Sequence, residues 1–154
     1  MLRFLRVRNF ALIDQLEIHF KDGFNLLSGE TGAGKSIIVD ALGLLAGSKA
    51  SGEMVRSGES RAIVEAIFEI DLRAELDRLG LDAEDDEVIV RREISSDERN
   101  RVYDNNQPTT VSALRELAPL LLDIPGQHEQ QTLLDHSSQL ALIDAFADST
   151  ALVG

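Results

Sequence analysis

The run Gly29-Glu30-Thr31-Gly32-Ala33-Gly34-Lys35-Ser36 constrains this chain more than any other feature. It follows the apolar stretch Phe24-Asn25-Leu26-Leu27 and precedes residues 37–46, which are apolar on most sides and close on Gly47. A strand, a glycine-rich loop and a helix in that order match G-x-x-x-x-G-K-[ST] in the context the pattern requires. Each residue type has a physical reason. Glycines let the main chain fold around a phosphate with its N–H groups turned inward, and the positive end of the following helix adds to that field. Lys35 can reach β- and γ-phosphates, and the Ser36 hydroxyl can enter a Mg2+ shell. The plainer alternative is a glycine turn that caps a helix, but a chance match arises in under about 1% of chains this long. A nucleoside triphosphate site is therefore the reading that spacing alone supports.

Hydrophobic periodicity predicts strands over 2–7, 16–20 and 24–27, the last entered through an Asp22-Gly23 turn, and then a buried helix over 37–46. Farther along, strands are expected over 62–70 and 88–94, with a short helix over 72–79 between them. Residues 95–100 read as a hairpin connection into Arg101-Val102-Tyr103, followed by a turn at Asn105-Asn106, whose side chains tolerate positive φ. Thr110 reads as the N-cap of a helix to about residue 117, Pro119 as the opening of an apolar strand over 120–124, and 138–147 as a last amphipathic helix. This alternation indicates an α/β class, a P-loop fold with an antiparallel β portion.

Composition narrows the function. The chain has no cysteine, which removes disulfides, zinc-thiolate sites and thiol nucleophiles together. No apolar run approaches the roughly 20 residues a membrane span needs, and the start lacks a signal-peptide core, so the expected location is cytoplasmic. Fifteen basic against 27 acidic residues give a net charge of −12, which argues against a broad DNA-gripping surface. The excess is uneven, however: residues 1–52 are close to neutral, and much of the surplus sits in Asp82, Glu84, Asp85, Asp86 and Glu87, which reads as a solvated stretch.

A phosphate cradle needs further groups before it can hydrolyse anything, namely an acid at the end of an apolar strand and a residue that orients water. Asp123 ends an apolar run but lacks an adjacent Glu. Gln127, in Pro125-Gly126-Gln127-His128-Glu129, is the better candidate for polar contact near the γ-phosphate and Mg2+. His128 and Glu129 lack metal-ligand spacing.

Three tracts then point to a family: residues 5–14, with Arg8-Asn9-Phe10; residues 27–36 continuing into Asp40-Ala41-Leu42-Gly43-Leu44-Leu45; and residues 123–130 around Gln127. Together they resemble the N-terminal part of the ATPase head in the bacterial DNA-repair branch of the structural-maintenance-of-chromosomes (SMC-like) group of ABC-type ATPases. Pro125, where a His is expected, and Asn106-Gln107, where Gly-Arg is expected, depart from the pattern, and neither touches the phosphate cradle. The resemblance implies that residues 1–154 are the N-terminal lobe of a split head. A coiled coil and a C-terminal segment with the signature motif and the acidic strand would follow beyond residue 154. It further implies ATP and Mg2+ as ligands, with Gly29 to Ser36 binding the phosphates, Ser36 and Gln127 at Mg2+, and Lys35 and Gln127 as the catalytic groups. By the same resemblance Arg8, Asn9 and Phe10 would lie near the nucleotide base, and Asp123 would lose its metal role to the absent strand. Arg56 would signal nucleotide state or touch DNA. The implied partners are the C-terminal half of the same head, a second copy through ATP-sandwiched heads and coiled coil, and DNA through the full-length protein at the nucleoid.

Two other readings of the residues stay open. A small-molecule kinase would use the same loop and need a lid, for which Arg91-Arg92 and Arg99-x-Arg101 are the only candidates. A non-catalytic module would use nucleotide only to order a partner surface such as Leu140, Leu142, Ile143 and Phe146.

Overall fold

Residues 2–10 alternate between apolar and polar side chains, and in the computed structural model they form the strand β1, Leu2–Phe10. Leu5 and Val7 are buried on one face, while Arg6 and Arg8 project from the other. Two further strands alternate in the same way: β3, Arg61–Glu69, buries Ala62, Val64, Ala66 and Phe68, and β4, Glu87–Ser95, buries Val88, Val90, Arg92 and Ile94. With β2, Ile13–His19, and the short β5, Arg101–Asp104, and β6, Gln107–Thr109, they make a six-stranded sheet in the order β2-β1-β3-β4-β5-β6. Every pairing in it is antiparallel. The β5–β6 turn falls where expected, with φ of 43° at Asn105 and 64° at Asn106, the left-handed pair that a two-residue hairpin needs. The structure describes residues 1–28, 32–70, 87–97 and 99–122, with 76, 78 and 124 singly, and all of these but residue 124 belong to the unit Met1–Leu122.

Two helices cover the buried face. The first, α1, Gly32–Leu45, packs Ala41, Leu44 and Leu45 into one cluster with Leu5, Val7, Val64 and Val90, and stops at Gly47, where φ is 87°. The second, α2, Val111–Leu121, is capped by Thr110, whose side chain accepts from the Ala113 N–H at 3.1 Å. Leu114 and Leu117 of α2 join the same cluster. Among the described residues no helix is long and apolar enough to cross a membrane.

Three expectations are corrected. The strand expected from residue 120 does not begin there, because α2 runs through Pro119 to Leu121 and Leu122 caps it. Leu114, Leu117, Ala118 and Leu121 share one helical face against the core, and that burial outweighs the one main-chain bond the proline removes. Residues 24–27 are not a strand either. Asn25 turns its amide back onto the Lys21 and Gly23 carbonyls at 2.8 and 3.1 Å, and the segment has no neighbouring strand among the described residues. Phe24 and Leu26 are consequently 89% and 75% exposed. Finally, α1 is buried only toward its C-terminal end, for Gly34, Lys35, Ser36, Val39 and Asp40 are exposed. The helices expected over 72–79 and 138–147 lie outside the described residues, apart from Leu76 and Arg78, which are helical.

Candidate nucleotide-binding site

The loop that the sequence singles out enters α1 at Gly32, so the first turn of that helix carries Gly32, Ala33, Gly34 and Lys35. Main-chain N–H groups in a first turn have no partner within the helix, and the macrodipole leaves partial positive charge there. No acidic residue occupies the first turn to compete for those donors. Lys35 and Ser36 are exposed beside them. A Cβ added at Gly34 would meet nothing within 4 Å, so packing does not demand glycine there. Main-chain donors in the first turn, with the Lys35 ammonium and the Ser36 hydroxyl alongside and no carboxylate in that turn, suit a phosphate chain with its magnesium. Gly29, Glu30, Thr31, Asp123 and Gln127 lie outside the described residues. Among the described residues no group of three His, Cys, Asp or Glu side chains could hold a metal ion.

The β1–β2 turn is tied to the segment after α1. Asn9 and Ala11 take the left-handed region, with φ of 52° and 49°. They are held there by main-chain bonds: the Asn9 carbonyl accepts from the Arg56 N–H at 2.8 Å, and the Ala11 N–H donates to the Met54 carbonyl at 2.8 Å. The Asn9 amide donates to Glu59 at 3.2 Å. Arg56 pairs with Asp14 at 3.2 Å, with both side chains well exposed. Of the residues expected near a nucleotide base, Phe10 is 2% exposed, so its ring belongs to the core. Arg8 projects from the sheet face opposite α1, into a polar depression with Gln15 and Arg61.

The lid candidates occupy the sheet and its hairpin. The Arg91 guanidinium stacks 4.3 Å from the Tyr103 ring centre, Arg92 is buried, Arg99 pairs with Asp97 at 3.3 Å, and Arg101 lies in β5. That placement removes the feature a kinase reading needs.

The burial of two charged groups escaped the sequence reading. Arg92 is 2% exposed and donates through Nη1 to the Leu44 and Ser48 carbonyls at 3.0 and 2.7 Å. Burial, and then the nearby Arg115, push its pKa down. Asp104 is also 2% exposed, neither carboxylate oxygen has a hydrogen-bond partner, and burial pushes its pKa up to about 6. Strict period-two counting along β4 and β5 would have found both, because each stands at an inward position of its strand.

The family described as AAA domain matches residues 5–149. The DNA repair protein RecN of Halalkalibacterium halodurans is 43% identical over 151 residues, covering 96% of this chain. The chain spans 27% of that relative's length. Among solved structures, the SMC head domain from Thermotoga maritima is 27% identical with a TM-score of 0.60, over 75% of this chain and 41% of the other. A chain from work on ATP-driven dimerization and DNA stimulated activation of SMC ATPases aligns with a TM-score of 0.66 at 23% identity, over 94% of this chain and 98% of that one. The fold is thus the P-loop, ABC-type ATPase fold that the sequence led us to expect.

Proposed function

The chain belongs to the AAA domain family, and from that premise we propose that it is the phosphate-binding lobe of a split ATPase head, completed by another segment of the polypeptide. The observation that carries the split is the apolar stretch before the phosphate loop: Phe24, Leu26 and Leu27 are 89%, 75% and 41% exposed, and Val39 of α1 is 53% exposed. Water-facing side chains of that size beside a ligand site mark a surface that another segment covers. The covering segment would supply the acidic strand and the signature motif, with the coiled coil between the two halves.

In this reading Gly29 to Ser36 hold the phosphates of ATP. Lys35 would neutralise charge at the β- and γ-phosphates, and Ser36 and Gln127 would hold Mg2+. Bound Mg2+ would draw charge from the phosphate oxygens. Gln127 would orient water, and Asn9 in the β1–β2 turn would lie near the base, whereas Arg8 faces away from α1. Two heads would enclose two ATP molecules, so that hydrolysis gates head engagement. Similarity to DNA repair protein RecN over nearly the whole chain supports a role in binding or tethering DNA during double-strand-break repair, in the cytoplasm at the nucleoid.

Turnover measured on residues 1–154, alone and with the remainder of the protein, tests the split. We expect negligible hydrolysis alone and recovery on mixing, and vigorous turnover by the lobe alone would refute it. Lys35→Ala should abolish productive ATP binding in the full protein, and an unchanged affinity would refute the cradle.

A further inference from the structure

The helix that carries the phosphate cradle is held at one end. Full burial begins at Ala41 and continues at Leu44 and Leu45, whereas Gly34, Lys35 and Ser36 are exposed. Its last turn contains no basic residue, and the Gly43 and Leu44 carbonyls accept from the Ser48 and Gly47 N–H groups at 3.0 Å each. Two arginines from other elements meet the end of the helix and the turn that follows it. Arg92 of β4 donates to the Leu44 and Ser48 carbonyls at 3.0 and 2.7 Å, and Arg115 of α2 donates through Nε to the Gly47 carbonyl at 2.9 Å. Gly47 lets Arg115 approach, since a Cβ there would stand 2.4 Å from the Arg115 Cγ.

Arg92 is an expensive choice for a core position. The residue is 2% exposed, its Nε has no hydrogen-bond partner, and Arg115 sits close enough to repel it. The negative end of the α1 macrodipole is what it meets. An apolar side chain of similar volume would fill the space without desolvating a charge. What that side chain could not do is tie the last turn of α1 and the turn after it to β4 by one directed bond each.

We infer that Arg92 is a positioning residue for the phosphate-binding end of α1, fixing the helix direction from its C-terminal end with Arg115 as the second hold. This rests on the proposed nucleotide site. Fourteen residues of helix span about 20 Å, so a pivot of about 5° at the held end moves Lys35 and Ser36 by between 1 and 2 Å. Misplacement of about 1 Å can lower a positioned reaction by about 100-fold. The clamp also joins α1 to α2, the helix that precedes Gln127.

The test uses the full-length protein with Arg92→Met, Arg92→Lys and, as a control, Val102→Ala, which removes core volume directly opposite Arg92 in the sheet register. Affinity for a fluorescent adenosine diphosphate with magnesium is read alongside amide exchange of residues 34–38 without nucleotide, at temperatures matched to each variant's melting point. Arg92→Met should weaken binding about tenfold and speed exchange of residues 34–38. Val102→Ala should leave both within about twofold, and Arg92→Lys, which keeps a cationic donor, should recover most of the loss. Equal effects of Arg92→Met and Val102→Ala, or no effect of Arg92→Met, would overturn the inference. If the unaltered protein binds no nucleotide, the cradle reading falls, and exchange of residues 34–38 still decides whether Arg92 orders that end.

Discussion

Asp104→Asn should stabilise the lobe at neutral pH and do so less as the pH falls. The Asp104 side chain is 2% exposed on the inward side of β5, opposite Val90, and neither carboxylate oxygen is hydrogen bonded. Burial raises its pKa from 3.8 to about 6, offset in part by the Asn105 main-chain N–H, which already serves the Ile89 carbonyl at 2.9 Å. Between these values the folded state holds a proton that the unfolded chain has released, so stability falls as the pH rises through that window and is level above it. A shift of about two units corresponds to about 3 kcal/mol when the carboxylate is fully charged, and to about 1 kcal/mol if water reaches it on small fluctuations. Asparagine keeps the shape and removes the charge. Its amide shares the cost of an unpaired polar group with the protonated acid, so the informative quantity is the change in the stability difference with pH. Urea unfolding of both proteins at pH 8 and pH 5 should show the advantage of Asp104→Asn shrinking by about 1 kcal/mol toward the lower pH. A difference that is constant with pH, or that grows on acidification, would refute the assignment of a raised pKa to this group.

Other substitutions separate fold from site. Gly34→Ala has open space for its methyl group and should leave the melting temperature unchanged while weakening nucleotide binding at least tenfold, read by calorimetry and titration. Gly47→Ala meets both the 87° φ and the Arg115 side chain, and should cost about 1–3 kcal/mol by urea unfolding. Phe24→Ser with Leu26→Ser changes side chains that face water, so the lobe alone should unfold within about 0.5 kcal/mol of the parent. Association of that double variant with the rest of the head, measured by analytical ultracentrifugation, should weaken markedly.

Local chemistry was legible wherever a residue's own preference agreed with its surroundings. The Asn105-Asn106 turn, the Thr110 cap, the Gly47 stop and the strands over 61–69 and 87–95 all stand where single-residue physics puts them. The motif at 29–36 offered the same kind of signal, since glycines, Lys35 and Ser36 at fixed spacing have few other uses, and Lys35 and Ser36 stand exposed in the first turns of α1. Residues 24–27 and 120–124 misled because a short apolar run reads alike as strand or helix, and only its neighbours decide. At Pro119 the neighbours were the apolar face of α2 against the core. At Phe24 no strand among the described residues lay alongside.

By itself, then, the sequence determined the alternation of the strands, the helix caps and the Asn105-Asn106 turn, because those depend on contacts within a few residues. The tertiary structure alone decided that the described sheet is wholly antiparallel, that α1 is anchored at one end, and that Arg92 serves carbonyls 44 and 48 residues away. It also decided that Asp104 is buried without a partner. An arginine or aspartate in a strand reads as solvent-facing until the opposite face is known, and which groups it meets there is set by packing between elements far apart in the chain.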